Sequence, residues 1–147
     1  MNPLLHVFYA ALGSLGFCFF LHVDKRHFLP GTLNGAAAWA LYLLTEHLGL
    51  PVFVCNLLAA LMAAAAAEVL SRKLKAPAVI FYIPGIVPLV PGSALYYMME
   101  ALVQNDYALA GQKAFVLLWT LLGIGVGCAF VIAGIDIWRK LRAKNRA

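Results

Sequence analysis

The chain has 147 residues, 64% of them hydrophobic and 12% charged, and carries a net charge of +5 from 11 Lys and Arg against 6 Asp and Glu. A soluble domain is about half apolar and a quarter charged. One this short has too little interior to hide such an excess, and the same excess excludes a disordered chain. The basic residues sit in short clusters between apolar runs, so topology in a membrane explains them, and no nucleic-acid partner is expected.

At about 20 residues per crossing, the length suits five helices with short loops. The expected fold is a single all-α integral membrane domain, with no length left for a soluble catalytic domain. The first run, 3–23, has no Lys or Arg before it and ends in Asp24-Lys25-Arg26-His27. A cleaved leader carries its positive charge at the front, so this run reads as an uncleaved crossing. The second run, 28–45, is weaker and holds Thr32 and Asn34 between Gly31 and Gly35. The third, 48–70, ends in Ser71-Arg72-Lys73-Leu74-Lys75. Only Glu46, His47 and the turn at 49–51 separate runs two and three, which predicts a tight antiparallel hairpin.

The fourth run, 76–99, would measure about 36 Å as a regular helix. Its middle instead reads Pro84-Gly85-Ile86-Val87-Pro88-Leu89-Val90-Pro91-Gly92. A polar loop with Glu100, Gln104, Asn105, Asp106 and Lys113 follows. The fifth run, 114–137, leads into a basic tail at 138–147. With five crossings, ten of the eleven Lys and Arg fall on one side, and the other side holds Lys113 with Glu46, Glu100 and Asp106. Basic loops stay in the cytoplasm, which puts the N-terminus outside and the C-terminus inside. Making the second or fourth run re-entrant would spread the basic clusters over both faces.

The segment 84–92 is the feature that stands out. Each proline inside a helix removes a backbone donor and clashes with the carbonyl four residues back, at about 3 kcal/mol. In hydrocarbon the freed carbonyls must be met by neighbouring helices or by water in a cavity. Transporters place substrate at such broken helices, where the amides of a half-helix N-terminus face an anionic group. Gly92 and Ser93 have the form of such an N-terminus, with Ser93 as its cap or as a substrate-facing hydroxyl. The plainer alternative is a kinked packing helix without a ligand.

Asn34 and Asn56 lie inside runs, where polar side chains face the bundle interior, bonding either a substrate or, the preferred reading, a neighbouring helix. Glu68 stands four residues before Arg72, and Asp136 four before Lys140, spacings that favour ion pairs over a proton relay. His6, His22, His27 and His47 all fall near expected interfaces. The pairs Gly31/Gly35 and Gly123/Gly127 have the small-residue spacing that lets helices approach closely, within the chain or between subunits. Cys18, Cys55 and Cys128 stand singly, with no metal-ligand or disulfide spacing. No phosphate-binding loop and no cofactor motif is present, and no nucleophile–base pair suggests an enzyme.

The string from Pro77 to Ser93, "PAVIFYIPGIVPLVPGS", resembles the signature of the threonine/serine exporter (ThrE) family. More narrowly, it is similar to the small YjjB-like subunits that correspond to the C-terminal membrane half of a full exporter. Most of the chain follows that pattern: a first helix with a basic turn, a Gly-rich second, an Ala-rich third, the Pro/Gly segment and a last helix with a basic end. The resemblance implies secondary export, from a bacterial inner membrane, of threonine and serine or of a dicarboxylate such as succinate. It also implies a partner, a larger membrane protein resembling the N-terminal half; the small-residue faces make a second copy of this chain a further candidate partner. The motif positions it carries over are Pro84, Gly85, Pro88, Pro91 and Gly92; a non-transporting scaffold for the partner is the alternative. If the segment lines the path, Pro88→Leu or Gly92→Leu is expected to abolish efflux while the complex still assembles. Normal efflux from both well-expressed variants would overturn that assignment.

Overall fold

The computed structural model describes residues 3–144. Among these, the elements are α1 (Pro3–Phe20), a 3-10 turn (Lys25–His27), α2 (Phe28–His47), α3 (Val52–Leu74), α4 (Val79–Ile86), a second 3-10 turn (Val87–Leu89), α5 (Gly92–Val103) and α6 (Tyr107–Lys144), with no strand. Three helices are long and apolar enough to cross a membrane: α1, α3 and the stretch Tyr107–Trp138 of α6. A fourth crossing results if the α4 and α5 segments, bent by 47° at their break, count as one span. The 20-residue α2 is long enough but too polar to join that group.

Its neighbours explain that composition. α2 packs against α1, α3 and α4, and its buried residues are Gly31, Asn34, Gly35, Ala38 and Thr45. A helix covered on three sides needs small contacts more than lipid-facing bulk. The α2–α3 hairpin closes tightly. Gly49 adopts φ +76°, and the N–H groups of Gly49 and Leu50 donate to the carbonyls of Glu46 and Thr45, satisfying the end of α2.

Residue pairings set the helix directions. Along α2, Gly31 and then Gly35 meet Cys18 and then Ser14 of α1, so these two helices are antiparallel. The same two glycines meet Ile80 and then Pro84, so α4 runs parallel to α2. On α6, Gly123 meets Phe53 and Asn56 while Gly127 meets Leu57 and Ala60 of α3, and Arg72 lies over Trp138 further along. α3 and α6 are therefore parallel. These directions bring Lys25 and Arg26, the basic end of α3 and the basic end of α6 to one end of the bundle.

The last helix departs from the sequence expectation at both ends. It begins at Tyr107, seven residues before the expected run, because the Asp106 carboxylate accepts from the Leu109 N–H at 3.0 Å and caps it. The polar loop shrinks to the residues between α5 and α6. At its other end the helix continues to Lys144, so the first part of the expected tail is helical. Its 38 residues measure about 57 Å, well beyond a hydrocarbon core of about 30 Å. Asn145, Arg146 and Ala147 of the tail lie outside the described residues.

The glycines of α6 give a matched test of this packing. A Cβ at Gly127 would stand 2.8 Å from the Leu57 carbonyl oxygen, whereas one at Gly125 meets nothing within 4 Å. Gly127→Ala is expected to cost about 1–3 kcal/mol. Gly125→Ala should be neutral or stabilise by up to about 1 kcal/mol through helix propensity. Thermal unfolding in detergent checks both, and equal tolerance would contradict the close α3–α6 approach.

Candidate functional site

The proline-rich segment breaks later than the string suggests. Pro84 sits inside α4, Pro88 inside the following 3-10 turn, and Pro91 is the N-cap of α5. In a regular helix the carbonyl of residue 84 accepts from the N–H of residue 88, which proline lacks. The orphaned Pro84 oxygen is met from another helix: Ser14 of α1 donates its hydroxyl at 2.9 Å in a buried contact. Gly35 makes this possible, since a Cβ there would overlap Ser14 Oγ and stand 2.6 Å from the Pro84 oxygen.

One turn earlier, Asn34 makes the second cross-link. Its Nδ2 donates to the Ala63 carbonyl of α3 at 3.0 Å and to the Phe81 carbonyl of α4 at 3.1 Å. The two donations fix the amide's orientation, because the reverse would aim its oxygen at two carbonyl oxygens. Gly85 leaves the room, as a Cβ there would strike the Asn34 amide nitrogen. Asn34 is 4% exposed, and its Oδ1 has no donor among the described residues. A buried amide oxygen without a partner is uncommon and costly in an apolar interior. The site thus offers an acceptor for a hydroxyl or ammonium donor brought to it.

Around this node, Phe81 is fully buried and takes the His27 imidazole edge-on at 5.5 Å. On the other side, Pro88 lines a small cleft of about 200 Å³ with His6, Tyr9, Ala10 and Trp39. His6 and His27 therefore border the broken helix as well as lying near helix ends. The bundle thus brings Gly31, Asn34, Gly35, Pro84 and Gly85 together, with Pro88 at the margin. Pro91, Gly92 and Ser93 stand beyond the bend. Gly92 and Ser93 are exposed, and a Cβ at Gly92 meets nothing.

Three expectations are corrected by these contacts. Ser93 is not the cap of α5, which starts from Pro91 without a side-chain cap. Asn56 bonds back to the Val52 carbonyl of its own helix at 2.8 Å rather than to a neighbour. Glu68 and Arg72 pair at 2.9 Å, but Asp136 and Lys140 form no ion pair among the described residues. Gly123 and Gly127 face α3 within the chain. Among the described residues no group of three or more His, Cys, Asp and Glu is placed to hold a metal ion.

Ser14 is the residue that sequence reasoning missed. It is the one Ser or Thr in α1, and two prolines four residues apart announce an orphaned carbonyl. Together those facts could have pointed to it.

A family model described as "Threonine/Serine exporter, ThrE" matches residues 6–133, which span the whole of this node. No curated protein and no solved structure matches the chain.

The Ser14 bond is testable by restoring the missing donor. Ser14→Ala should destabilise the bundle by about 1–3 kcal/mol, the cost of a buried carbonyl left unmet. In a Pro88→Ala background, where residue 88 regains an N–H, the same change should cost less than about 1 kcal/mol. Equal costs in the two backgrounds, read by thermal unfolding, would show that Ser14 does not replace the helix donor.

Proposed function

We propose that this chain, which belongs to the threonine/serine exporter family, is the membrane half of a split secondary exporter for small carboxylate-bearing metabolites. Threonine and serine or a dicarboxylate such as succinate are the proposed substrates. A larger membrane protein resembling the N-terminal half is the proposed partner, and the bacterial inner membrane the proposed location. Membership in a family of exporters supports transport rather than catalysis as its role. The substrate path runs by the broken helix, along Asn34, Pro84, Gly85, Pro88 and Pro91 and out past Gly92 and Ser93.

The observation that carries this reading is the unpartnered Asn34 Oδ1 beside the break. A helix kinked only for packing has no use for a buried acceptor without a donor. An exported hydroxy-amino acid brings both a hydroxyl and an ammonium group. Alternating access needs a segment that can change its backbone bonds at low cost, and the 3-10 turn between α4 and α5 is already outside regular α geometry.

Five crossings follow from the same reading. α2 runs antiparallel beside two apolar helices and returns the chain from one end of the bundle to the other, so it crosses if they do. With the basic ends cytoplasmic, the N-terminus is outside.

Efflux from reconstituted vesicles, with and without the partner, over threonine, serine and succinate is the decisive assay. Saturable efflux is expected only with both proteins. Asn34→Ser should raise KM by about tenfold, one polar contact's worth, in vesicles that retain the assembled complex. A scaffold predicts the opposite outcome, an unchanged KM in every variant that assembles. Pro88→Leu is the more telling proline/glycine variant, since Gly92 borders open space.

A further inference from the structure

At the basic end of the bundle a second cluster stands apart from the helix break. Arg72 of α3 donates from Nε at 3.0 Å and from Nη2 at 2.9 Å, both to Oε1 of Glu68. Its guanidinium lies 4.9 Å from the centre of the Trp138 ring of α6. All three side chains line one cleft of about 360 Å³ between α3 and α6, whose other walls are apolar and include Gly134 and Ala65. Of the six carboxylates in the chain, Glu68 alone is not exposed.

We infer that Arg72, oriented by Glu68 and seated on Trp138, is a carboxylate-binding subsite at the mouth of the transport path. The inference rests on the exporter reading for its ligand.

A guanidinium has five N–H donors in a rigid planar fork. Glu68 uses two of them through a single oxygen, and the other three have no acceptor among the described residues. The indole face holds the plane from one side without using a donor. What remains is a fork edge open to the cleft, the geometry that takes a carboxylate through two parallel bonds. An ion pair four residues apart near an exposed helix end adds little stability. Stability alone therefore does not account for the arrangement.

A second cavity of about 210 Å³ lies on the far side of Glu68 and reaches Ala78, Val79 and Tyr82 of α4. The two cavities share Glu68, Val131 and Ile135 as walls. A ligand carboxylate on Arg72 competes with Glu68 for the same cation. Displacing Glu68 moves the wall between the outer cleft and the space against α4, two residues from Pro84. Arg72 thus selects for an anionic group, and Glu68 keeps the inner space closed until one arrives.

The same fork would take the phosphate of an anionic lipid, so the test separates the two sources. The chain is placed in nanodiscs of neutral phosphatidylcholine, with Trp39→Phe and Trp119→Phe leaving Trp138 as the reporter. Titration with succinate or threonine is expected to change its emission saturably, while threoninol, which lacks the carboxylate, leaves it unchanged. Arg72→Gln should weaken the apparent affinity by about tenfold or more, with Arg72→Lys intermediate. Glu68→Gln should tighten it, an opposite sign that a merely structural pair would not give. If removing Trp39 unfolds the bundle, radiolabelled succinate binding to the chain with all three tryptophans replaces emission as the readout.

No saturable response to either acid, or a response retained in Arg72→Gln, overturns the subsite. So does a response to added phosphatidylglycerol that the acids do not compete away, which assigns the fork to lipid. Efflux from wild-type vesicles together with any of these results leaves the exporter reading standing. Saturable, Arg72-dependent binding without efflux keeps the subsite and removes the exporter reading.

Discussion

Pro88 has no N–H, and the Pro84 carbonyl one turn before it must find a donor elsewhere in an apolar bundle. Ser14 supplies that donor from α1. The bond holds only if α1, α2 and α4 stand close enough for a hydroxyl to cross α2, and Gly35 is what allows it. One missing proton on one proline thus fixes the spacing of three helices. The Asn34 amide does the same one turn earlier, joining α2 to α3 and α4. In hydrocarbon a broken helix needs its opened carbonyls met from elsewhere, and Ser14 does this for Pro84.

This arrangement also accounts for the chain's least apolar long helix. α2 carries Thr32, Asn34 and two glycines because it lies between its neighbours, where backbone proximity and hydrogen bonds hold helices together better than bulk does. α3 meets it at the fully buried Ala63, and its neighbouring face, with Ala60, receives Gly123 and Gly127 of α6. Bulky side chains are turned outward, as the exposed leucines, phenylalanines and valines on every long helix attest. Past the break, α5 packs on α6, with a single buried residue, Ala101. The segment therefore has one half in the core and the other packed on α6 outside it.

Charge follows the helix directions. Because α3 and α6 are parallel, the basic end of one lies beside that of the other, and Arg72 meets Trp138 across the gap. The pairing of Glu68 with Arg72 keeps that guanidinium beside the cleft instead of out toward headgroups. A basic end, a cleft at that end and a broken helix deeper in the bundle form one line through α3, α4 and α6.

The amino-acid sequence by itself determined that the chain is helical and built for a membrane, where its hairpin falls, and which helix is broken. Composition, apolar run length and proline chemistry are local properties, and they act before any tertiary contact forms. The glycine pairs were equally legible as close-packing faces. Which helices those faces meet was not, since GxxxG spacing is the same within a subunit and between two. Nor could the sequence settle where the break begins. Pro84 stays helical because its own position and its carbonyl are supported from outside, and regular geometry yields only at Val87. Ser14 lies 70 residues away from the carbonyl it serves, a separation that no periodicity spans. The tertiary structure alone decided that partnership, the unpartnered oxygen of Asn34 and the meeting of Arg72 with Trp138. Each depends on two helices standing side by side, and that is settled by how all the faces of the bundle fit at once.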